Sequence, residues 1–320
     1  MKNKVFINFD NSHSKRADAF LADKYPEYSR AYFQNLITSG KVFVNGEQIK
    51  PSHKLISSDL IEIDFIESSA EYDLKPADIK LDILFENDDV IVINKQPGLV
   101  VHPAAGNKEG TLVNALIYHF PMIKKAVYDK NSEVSKIRPG LVHRLDKDTS
   151  GVLIVAKNTK AMHSLSRQIQ NRNVVKKYWA LCFGWPKNEK GVLINYLGRH
   201  PKNRKLIADV GETKGKQAIS NFCLIHSYRH LKEQISLIEF DIKTGRTHQI
   251  RVQAKEMGNP VMGDAVYGNK SSITLSHELN IQRQMLHAKE LSITLPGDAK
   301  ARTFSAPIPD DFQSVIDKLS

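Results

Sequence analysis

A carboxylate lies close to a cation in the stretch from residue 140 to residue 157, GLVHRLDKDTSGVLIVAK. Asp146 stands in a polar turn two residues after Arg144, and the apolar run 151–156 that follows has the composition of a buried strand. A carboxylate at the mouth of a rigid strand, near a cation, is suited to act as a nucleophile. The alternative is an ordinary polar turn, because Asp, Ser and Thr are common turn residues.

Further groups able to take part in chemistry follow along the chain. Tyr178 contributes a phenol near the start of a strand predicted from residue 176 onward. Arg246, His248 and Arg251 come directly after another predicted strand, where two guanidinium groups and an imidazole suit an anion or carboxylate site. The alternative for these three residues is a set of structural ion pairs.

The sequence lacks the motifs of several common classes of enzyme. No G-x-G-x-x-G follows a strand and no G-x-x-x-x-G-K-[ST] is present, so dinucleotide and nucleoside triphosphate chemistry loses support. The twelve histidines never take the H-E-x-x-H spacing, and only two cysteines are present, so a zinc site is not predicted. No G-x-S-x-G elbow of a hydrolase is found either. The residues therefore indicate cofactor-free chemistry around a carboxylate.

The cellular compartment is predicted from apolar runs and cysteines. No apolar run approaches the length of a bilayer span, and the N-terminal residues do not read as a signal peptide. Cys182 and Cys223 both have apolar neighbours and are predicted to be reduced thiols in the core. We therefore expect a cytoplasmic protein without membrane association.

Positive charge is concentrated in one segment of the chain. Residues 161–230 carry 13 Lys/Arg against 3 Asp/Glu, whereas residues 1–70 carry nine of each. This asymmetry predicts a polyanionic partner. One loop of the segment is suited to contact a phosphate backbone, with a solvated hairpin tip as the alternative. Its cations are Arg199, Lys202, Arg204 and Lys205.

Residues 1–67 have the pattern of a small α+β module. Two segments with helical spacing precede a hairpin signal at Asn45-Gly46 and a closing strand of alternating polarity. With Arg16-Ala17-Asp18 and Ser29-Arg30, this order resembles the small RNA-binding domain of the S-four type, although Ser58 stands where that family usually has glycine. The resemblance implies four RNA-contact residues: Lys15, Arg16, Arg30 and Lys41. A polar linker is predicted over residues 68–76.

The motifs between residues 94 and 288 resemble, in the same order, those of pseudouridine synthases of the RluA/RluD type, which includes enzymes for large-subunit ribosomal RNA. The central motif is His143-Arg144-Leu145-Asp146 followed by Thr149-Ser150-Gly151. The other motifs are Asn94-Lys95-x-Pro97-Gly98, Lys176-x-Tyr178-x-Ala180, Gly245-Arg246-Thr247-His248-Gln249-Ile250-Arg251, Gly263-Asp264-x-x-Tyr267-Gly268 and Leu286-His287-Ala288.

The resemblance implies a role for each residue of the candidate site. Asp146 would be the nucleophile in the isomerisation of uridine to pseudouridine, by adding to the ribose or the ring or by initiating glycal formation. Tyr178 would stack on the target base and assist proton removal, and Arg251 would pair with Asp146. Arg144 would replace the flipped nucleotide in the RNA, and Ile250 would pack against the base.

The resemblance also implies the fold and the partner. We expect an α+β fold with a central mixed, mainly antiparallel sheet and flanking helices over residues 77–310. The expected partner is RNA, either large-subunit ribosomal RNA or, alternatively, transfer RNA, and His143 is predicted to contact it. No metal, organic cofactor or obligate protein partner is implied. A second hypothesis is an RNA-binding ribosome-assembly factor whose main role is not catalytic.

Overall fold

The computed structural model describes residues 3–11, 13–25, 30–65, 74–103, 107, 109–126, 138–203 and 206–319. Two compact units are present, and the chain passes from the first to the second between Pro76 and Ala77. The second unit comprises residues 77–126 and 140 onward, and residues 127–139 are assigned to the first. Most of the predicted linker, residues 68–73, lies outside the described residues.

The N-terminal unit combines short strands with two helices. Its strands are β1 (Asn3–Phe9), β2 (Lys15–Arg16), β3 (Val42–Val44), β4 (Glu47–Gln48), β5 (Lys54–Leu55) and β6 (Asp59–Phe65), and its helices are α1 (Ala17–Lys24) and α2 (Arg30–Thr38). The main sheet has the order β1-β6-β3-β4, and β2 pairs with β5 separately. Asn45 and Gly46 have φ of 52° and 82°, as a two-residue hairpin turn requires. Ser58 also has a positive φ, 78°, at the position where glycine is usual.

The second unit contains one large sheet with helices on both faces. Its strands are β7 (Ile83–Glu86), β8 (Val90–Lys95), β9 (Ser150–Ala156), β10 (Val175–Phe183), β11 (Lys190–Arg199), β12 (Ile207–Asp209), β13 (Lys216–His230), β14 (Glu233–Ile242), β15 (Leu286–Ile293) and β16 (Arg302–Ser305). Its helices are α3 (Leu112–His119), α4 (Thr159–Gln170), α5 (Gln249–Glu256), α6 (Lys270–Glu278) and α7 (Asp310–Leu319), with a 3₁₀ turn at Pro121–Lys125.

The large sheet is mainly antiparallel. Its strand order is β12-β11-β13-β14-β10-β15-β9-β8-β7, with β16 paired to β15 at one side. Strands β15 and β9 run parallel, and the other strand pairs of the described sheet are antiparallel. The predicted α+β class with a mixed, mainly antiparallel sheet is therefore confirmed.

Helices cover the sheet where its strands are most apolar. Met162 and Leu165 of α4 pack with Val152 and Ile154 of β9, every residue of which is buried. Helices α6 and α7 pack over β10 and β14 in a second cluster, and Val252 of α5 joins a third with β11 and β13. None of the described helices is long and apolar enough to cross a membrane.

One prediction about the core is wrong. Cys182 is buried, but Cys223 is exposed. Successive residues of a strand point to opposite faces of the sheet, and Phe222 beside it in β13 is the one that turns into the core. Apolar neighbours in sequence therefore did not bring the Cys223 side chain into the core.

Candidate active site

Asp146 lies in a tight turn that precedes β9, here called the Asp146 turn (residues 146–149). The backbone N–H of Thr149 donates to the carbonyl of Asp146 at 3.2 Å, closing the turn. Two cationic side chains donate hydrogen bonds to the backbone carbonyls in the middle of this turn. Lys95 Nζ donates to the carbonyl of Lys147 at 2.9 Å, and Arg283 donates to the carbonyl of Asp148 at 3.1 Å. The position of Asp146 is thus fixed without using its side chain.

Both cations are themselves tied to the fold. Lys95 is fully buried at the end of β8 and also donates to the carbonyls of Gln96 and Leu99, at 2.8 and 3.0 Å. Burial lowers the pKa of Lys95 to about 7, against the attraction of Asp148. Arg283 makes two hydrogen bonds to Asp311 of α7, at 2.6 and 2.8 Å.

The sheet register brings Tyr178 to within two strands of the Asp146 turn. Ala288 of β15 pairs with Gly151 of β9 on one side and with Tyr178 of β10 on the other. Adjacent strands lie about 4.8 Å apart, so the two outer residues are separated by roughly 10 Å. Gly151 has φ of 111°, and a Cβ there would lie 2.2 Å from the Ala288 carbonyl oxygen. Only glycine fits this close approach.

Arg251 joins two carboxylates across the site. Its Nε and one terminal nitrogen donate to Asp264 at 2.6 and 2.9 Å, and the other terminal nitrogen donates to Asp146 at 3.2 Å. The side chains of Arg251 and Asp264 are 6% and 0% exposed. Burial opposes the charged guanidinium, but the hydrogen bonds that it donates to Asp264 and the negative charges of the two nearby carboxylates raise the pKa of Arg251 above its ordinary value. Arg251 therefore stays charged and orients the Asp146 carboxylate through a charge-assisted hydrogen bond.

His248 lies on the other side of the Asp146 carboxylate. It precedes α5 with a left-handed φ of 56°, and its Nε2 is 4.0 Å from an Asp146 oxygen. Its Nδ1 lies 2.8 Å from the Tyr267 hydroxyl, which accepts a hydrogen bond from the backbone N–H of Ile207. Burial lowers the pKa of His248, although Asp146 pulls in the opposite direction. A neutral imidazole with its proton on Nε2 fits these contacts.

Asp146, His248 and Arg251 line a cavity of about 470 Å³, here called the Asp146 cavity. Tyr178 is buried in its wall, and burial, reinforced by the negative charge of Asp146, raises the pKa of its phenol above the ordinary value. Lining side chains of the described chain include one carboxylate, that of Asp146, and six Lys or Arg cations. Such a cavity attracts a polyanion.

The structure brings together eight of the candidate residues named from the sequence. They all line the Asp146 cavity: His143, Arg144, Asp146, Tyr178, Arg246, His248, Ile250 and Arg251. Arg144 is exposed. His143 accepts a hydrogen bond from the backbone N–H of Ile154 at 3.1 Å, and burial lowers its pKa to about 3. His143 is thus a neutral group that anchors the start of the Asp146 turn to β9.

The predicted basic loop is separate from this cavity. Arg199 ends β11 and Lys202 lies in the following turn, and both are exposed. Neither lines the Asp146 cavity. Arg204 and Lys205 lie outside the described residues.

In the N-terminal unit, the four predicted RNA-contact cations all pair with carboxylates. Lys15 pairs with Asp23, and Lys41 with Asp64 at 3.3 Å. Arg16 and Arg30 both bind the buried carboxylate of Asp18. Despite burial, the hydrogen bonds that Asp18 accepts hold its pKa well below the usual range. The four cations therefore already face carboxylates of their own unit.

Comparison with known proteins now identifies the family. A family model described as RNA pseudouridylate synthase matches residues 89–256, which is more than half of the chain. The chain belongs to this family. A model of the S4 domain matches residues 15–61. The predicted family, RNA as substrate and the S-four-type module are therefore confirmed, and the synthase is an isomerase.

Individual relatives agree with this assignment. The chain is 39% identical over 316 residues to an uncharacterized RNA pseudouridine synthase of Chlorobaculum parvum, covering 95% of this chain and 94% of the relative. It is 40% identical over 311 residues to ribosomal large subunit pseudouridine synthase D of Neisseria meningitidis serogroup A, covering 95% and 78%. Among solved structures, human RNA pseudouridylate synthase domain containing 1 is similar, with 27% identity, a TM-score of 0.56, and coverage of 72% of this chain and 84% of that chain.

Sequence reasoning missed the residues that hold the site in place. Lys95, Asp264 and Arg283 support the Asp146 turn or Arg251, yet none was predicted as a functional residue. A usable signal existed for Lys95, because this charged residue directly continues the apolar strand β8. Asp264 likewise follows Gly263 in one of the motifs. Arg283 gave no comparable signal.

Proposed function

We propose that this synthase isomerises uridine in large-subunit ribosomal RNA, with Asp146 as the nucleophile and with the target base flipped out of the RNA. The observation that carries the proposal is the Asp146 carboxylate, held on the cavity wall 3.2 Å from a guanidinium nitrogen of Arg251. Arg251 orients the carboxylate by a charge-assisted hydrogen bond, and an oriented carboxylate can act as a nucleophile. In the reaction the C1′–N1 bond breaks and a C1′–C5 bond forms, while a proton leaves C5 and another is gained at N1.

We propose base flipping because the enzyme needs access to the reacting atoms of the target nucleotide. A base inside a stack is out of reach, and its extrusion costs roughly a few kcal/mol. We propose that Arg144, which is exposed at the cavity, stacks in the space left by the base. Ile250 and Tyr178 would then hold the uracil between them. The raised pKa of Tyr178 favours a protonated phenol that stacks and donates, so proton removal at C5 would need an acceptor beside it.

The class of RNA is inferred from relatives. Ribosomal large subunit pseudouridine synthase D of Neisseria meningitidis is similar over 95% of this chain, including the N-terminal unit. That likeness favours ribosomal RNA over transfer RNA as the substrate. Mapping of pseudouridines in total RNA from a deletion strain and its parent tests this choice. Loss of sites only in transfer RNA would contradict it.

The nucleophile is tested with Asp146→Asn on RNA containing uridine tritiated at carbon 5, since the reaction releases that tritium. We expect turnover to fall by at least about 10⁴-fold, with the dissociation constant for RNA changed less than threefold. Asp88→Asn is a matched control, because Asp88 is an exposed carboxylate between β7 and β8. Comparable turnover in Asp146→Asn and the wild type would refute the assignment.

A further inference from the structure

Lys176 presents a buried ammonium group to the Asp146 cavity without a protein partner. The residue is 7% exposed and lines the cavity, on the same face of β10 as Tyr178. Among the described residues, it has no hydrogen bond and no ion pair within 4.0 Å. Buried charged groups are normally paired because burial without a partner costs free energy. An unpaired ammonium at a substrate cavity therefore points to a partner that arrives with the substrate.

The carboxylate that attracts Lys176 most strongly does not reach its ammonium group. Asp241 lies beyond 4.0 Å from Lys176 Nζ; its Oδ2 pairs with Lys243, whose own charge repels Lys176, and its Oδ1 is buried without a hydrogen-bond partner. His143, which faces Lys176, is neutral. Burial, the largest influence, lowers the pKa of Lys176 to about 8, so the ammonium is incompletely compensated in the free enzyme. An incoming anion would restore its full charge.

Gly245 keeps the approach to this ammonium open. A Cβ added at Gly245 would lie 4.0 Å from Lys176 Nζ, and nothing else is within that distance. The φ of Gly245 is outside the left-handed region, so its backbone does not require glycine. The missing side chain therefore leaves space in front of Nζ rather than relieving strain. Gly245 is exposed, so that space is accessible from solvent.

We propose that Lys176 and Gly245 form a subsite for a backbone phosphate of the RNA next to the target uridine. This rests on the proposed function, in which the target base stacks on Tyr178. Residues two apart in a strand are about 7 Å apart, so Lys176 is within reach of the sugar–phosphate of a nucleotide whose base lies on Tyr178. A phosphate oxygen suits the compact charge of an ammonium, and an uncharged uracil carbonyl would not neutralise it.

The test measures binding of full-length protein, in the Asp146→Asn background, to a synthetic RNA hairpin carrying the mapped uridine. Lys176→Gln should raise the dissociation constant about tenfold, in the range for a hydrogen bond to a charged group. It should also lower the slope of log affinity against log salt by about 0.7 to 0.9, the value for one phosphate. Lys176→Arg should retain the slope. Lys177→Gln, on the opposite face of β10, is the matched control and should match the parent.

A neutral methylphosphonate, placed in turn at each linkage around the uridine, locates the phosphate. At one position it should weaken binding of the parent protein about tenfold and have no further effect on Lys176→Gln. Should Lys176→Gln fail to fold, Gly245→Val, which covers Nζ, should reproduce the loss of affinity. Unchanged affinity and slope, with no sensitive linkage, would overturn the subsite.

Two other outcomes are equally informative. If Lys176→Gln alone abolishes turnover while affinity and salt slope stay unchanged, the lysine transfers a proton and the phosphate subsite is wrong. If wild-type protein does not isomerise the hairpin at all, the proposed function fails instead. Isomerisation that depends on Asp146, together with an RNA affinity and salt slope that do not depend on Lys176, refutes only the subsite.

Discussion

Replacement of Asp264 by asparagine tests how Arg251 is held. Asp264 accepts two of the three guanidinium hydrogen bonds described above, and its Oδ1 also accepts from the backbone N–H groups of Val266 and Tyr267. Asparagine has nearly the same size but offers one acceptor oxygen and no charge. The change therefore leaves a buried guanidinium with Asp146 as its remaining carboxylate.

The expected loss of stability follows from the burial of the ion pair between Arg251 and Asp264. Removing one partner of a buried ion pair costs about 3–5 kcal/mol, and we expect about 3 kcal/mol because Asp146 still neutralises Arg251. For a unit of this size, that corresponds to a decrease of about 10 °C in Tm. Turnover should fall about 10- to 100-fold, because misplacement of a catalytic group by about 1 Å has effects of that order.

The ion pair between Asp298 and Arg302 is a control, because it has similar hydrogen-bond lengths but is more exposed to solvent. Asp298 accepts hydrogen bonds from Arg302 at 2.6 and 2.9 Å, the distances found for Asp264 and Arg251. The Arg302 side chain is 50% exposed, so Asp298→Asn should cost no more than about 1 kcal/mol. Urea unfolding followed by tryptophan fluorescence gives the stabilities, and tritium release gives the turnover well below each Tm.

Equal destabilisation by Asp264→Asn and Asp298→Asn would refute the argument from burial. A stability loss at Asp264 with unchanged turnover of the folded protein would show that Asp264 supports the fold but does not orient Arg251.

Two further perturbations address the Asp146 turn and the adjacent core. Lys95→Met leaves three backbone carbonyls without their donor. We therefore expect the free energy of unfolding measured in urea to fall by about 3 kcal/mol, and single-turnover isomerisation to slow. Wild-type values for both would contradict the role given to Lys95. His287 is buried and its pKa is lowered to about 4. Between pH 6.5 and 4 the unfolded chain therefore binds a proton that the folded protein does not, and stability should fall by up to about 3 kcal/mol as the pH decreases through this window. His287→Gln should remove that part of the pH dependence in a series of urea titrations.

Elements with a strong local signal could be predicted from the sequence. The apolar run 151–156 corresponds to β9. The Asn45-Gly46 hairpin also follows from its own two residues. In each case the determining interactions lie within a few positions of the chain, so periodicity and turn chemistry are sufficient.

The support of the site could not be predicted in this way. Helix α5 begins at Gln249 directly after a left-handed His248, without a side-chain cap to announce it. The pairing of Arg251 with Asp264 depends on the path of the loop after α5. The pairing of Lys95 with a carbonyl 52 residues away depends on strand order in the large sheet. Spacing along the chain carries no information about which distant backbone a buried cation will meet.

The way in which the Asp146 turn is held has a practical consequence for chemical labelling. Lys147 and Asp148 are fixed through their carbonyls, and the exposed side chain of Lys147 makes no hydrogen bond or ion pair within the described chain. Position 147 can therefore change chemically while the neighbouring carboxylate stays where it is. With Cys223→Ser to remove the exposed native thiol, Lys147→Cys would carry a fluorophore or photo-crosslinker one residue from Asp146 and report RNA arrival there directly.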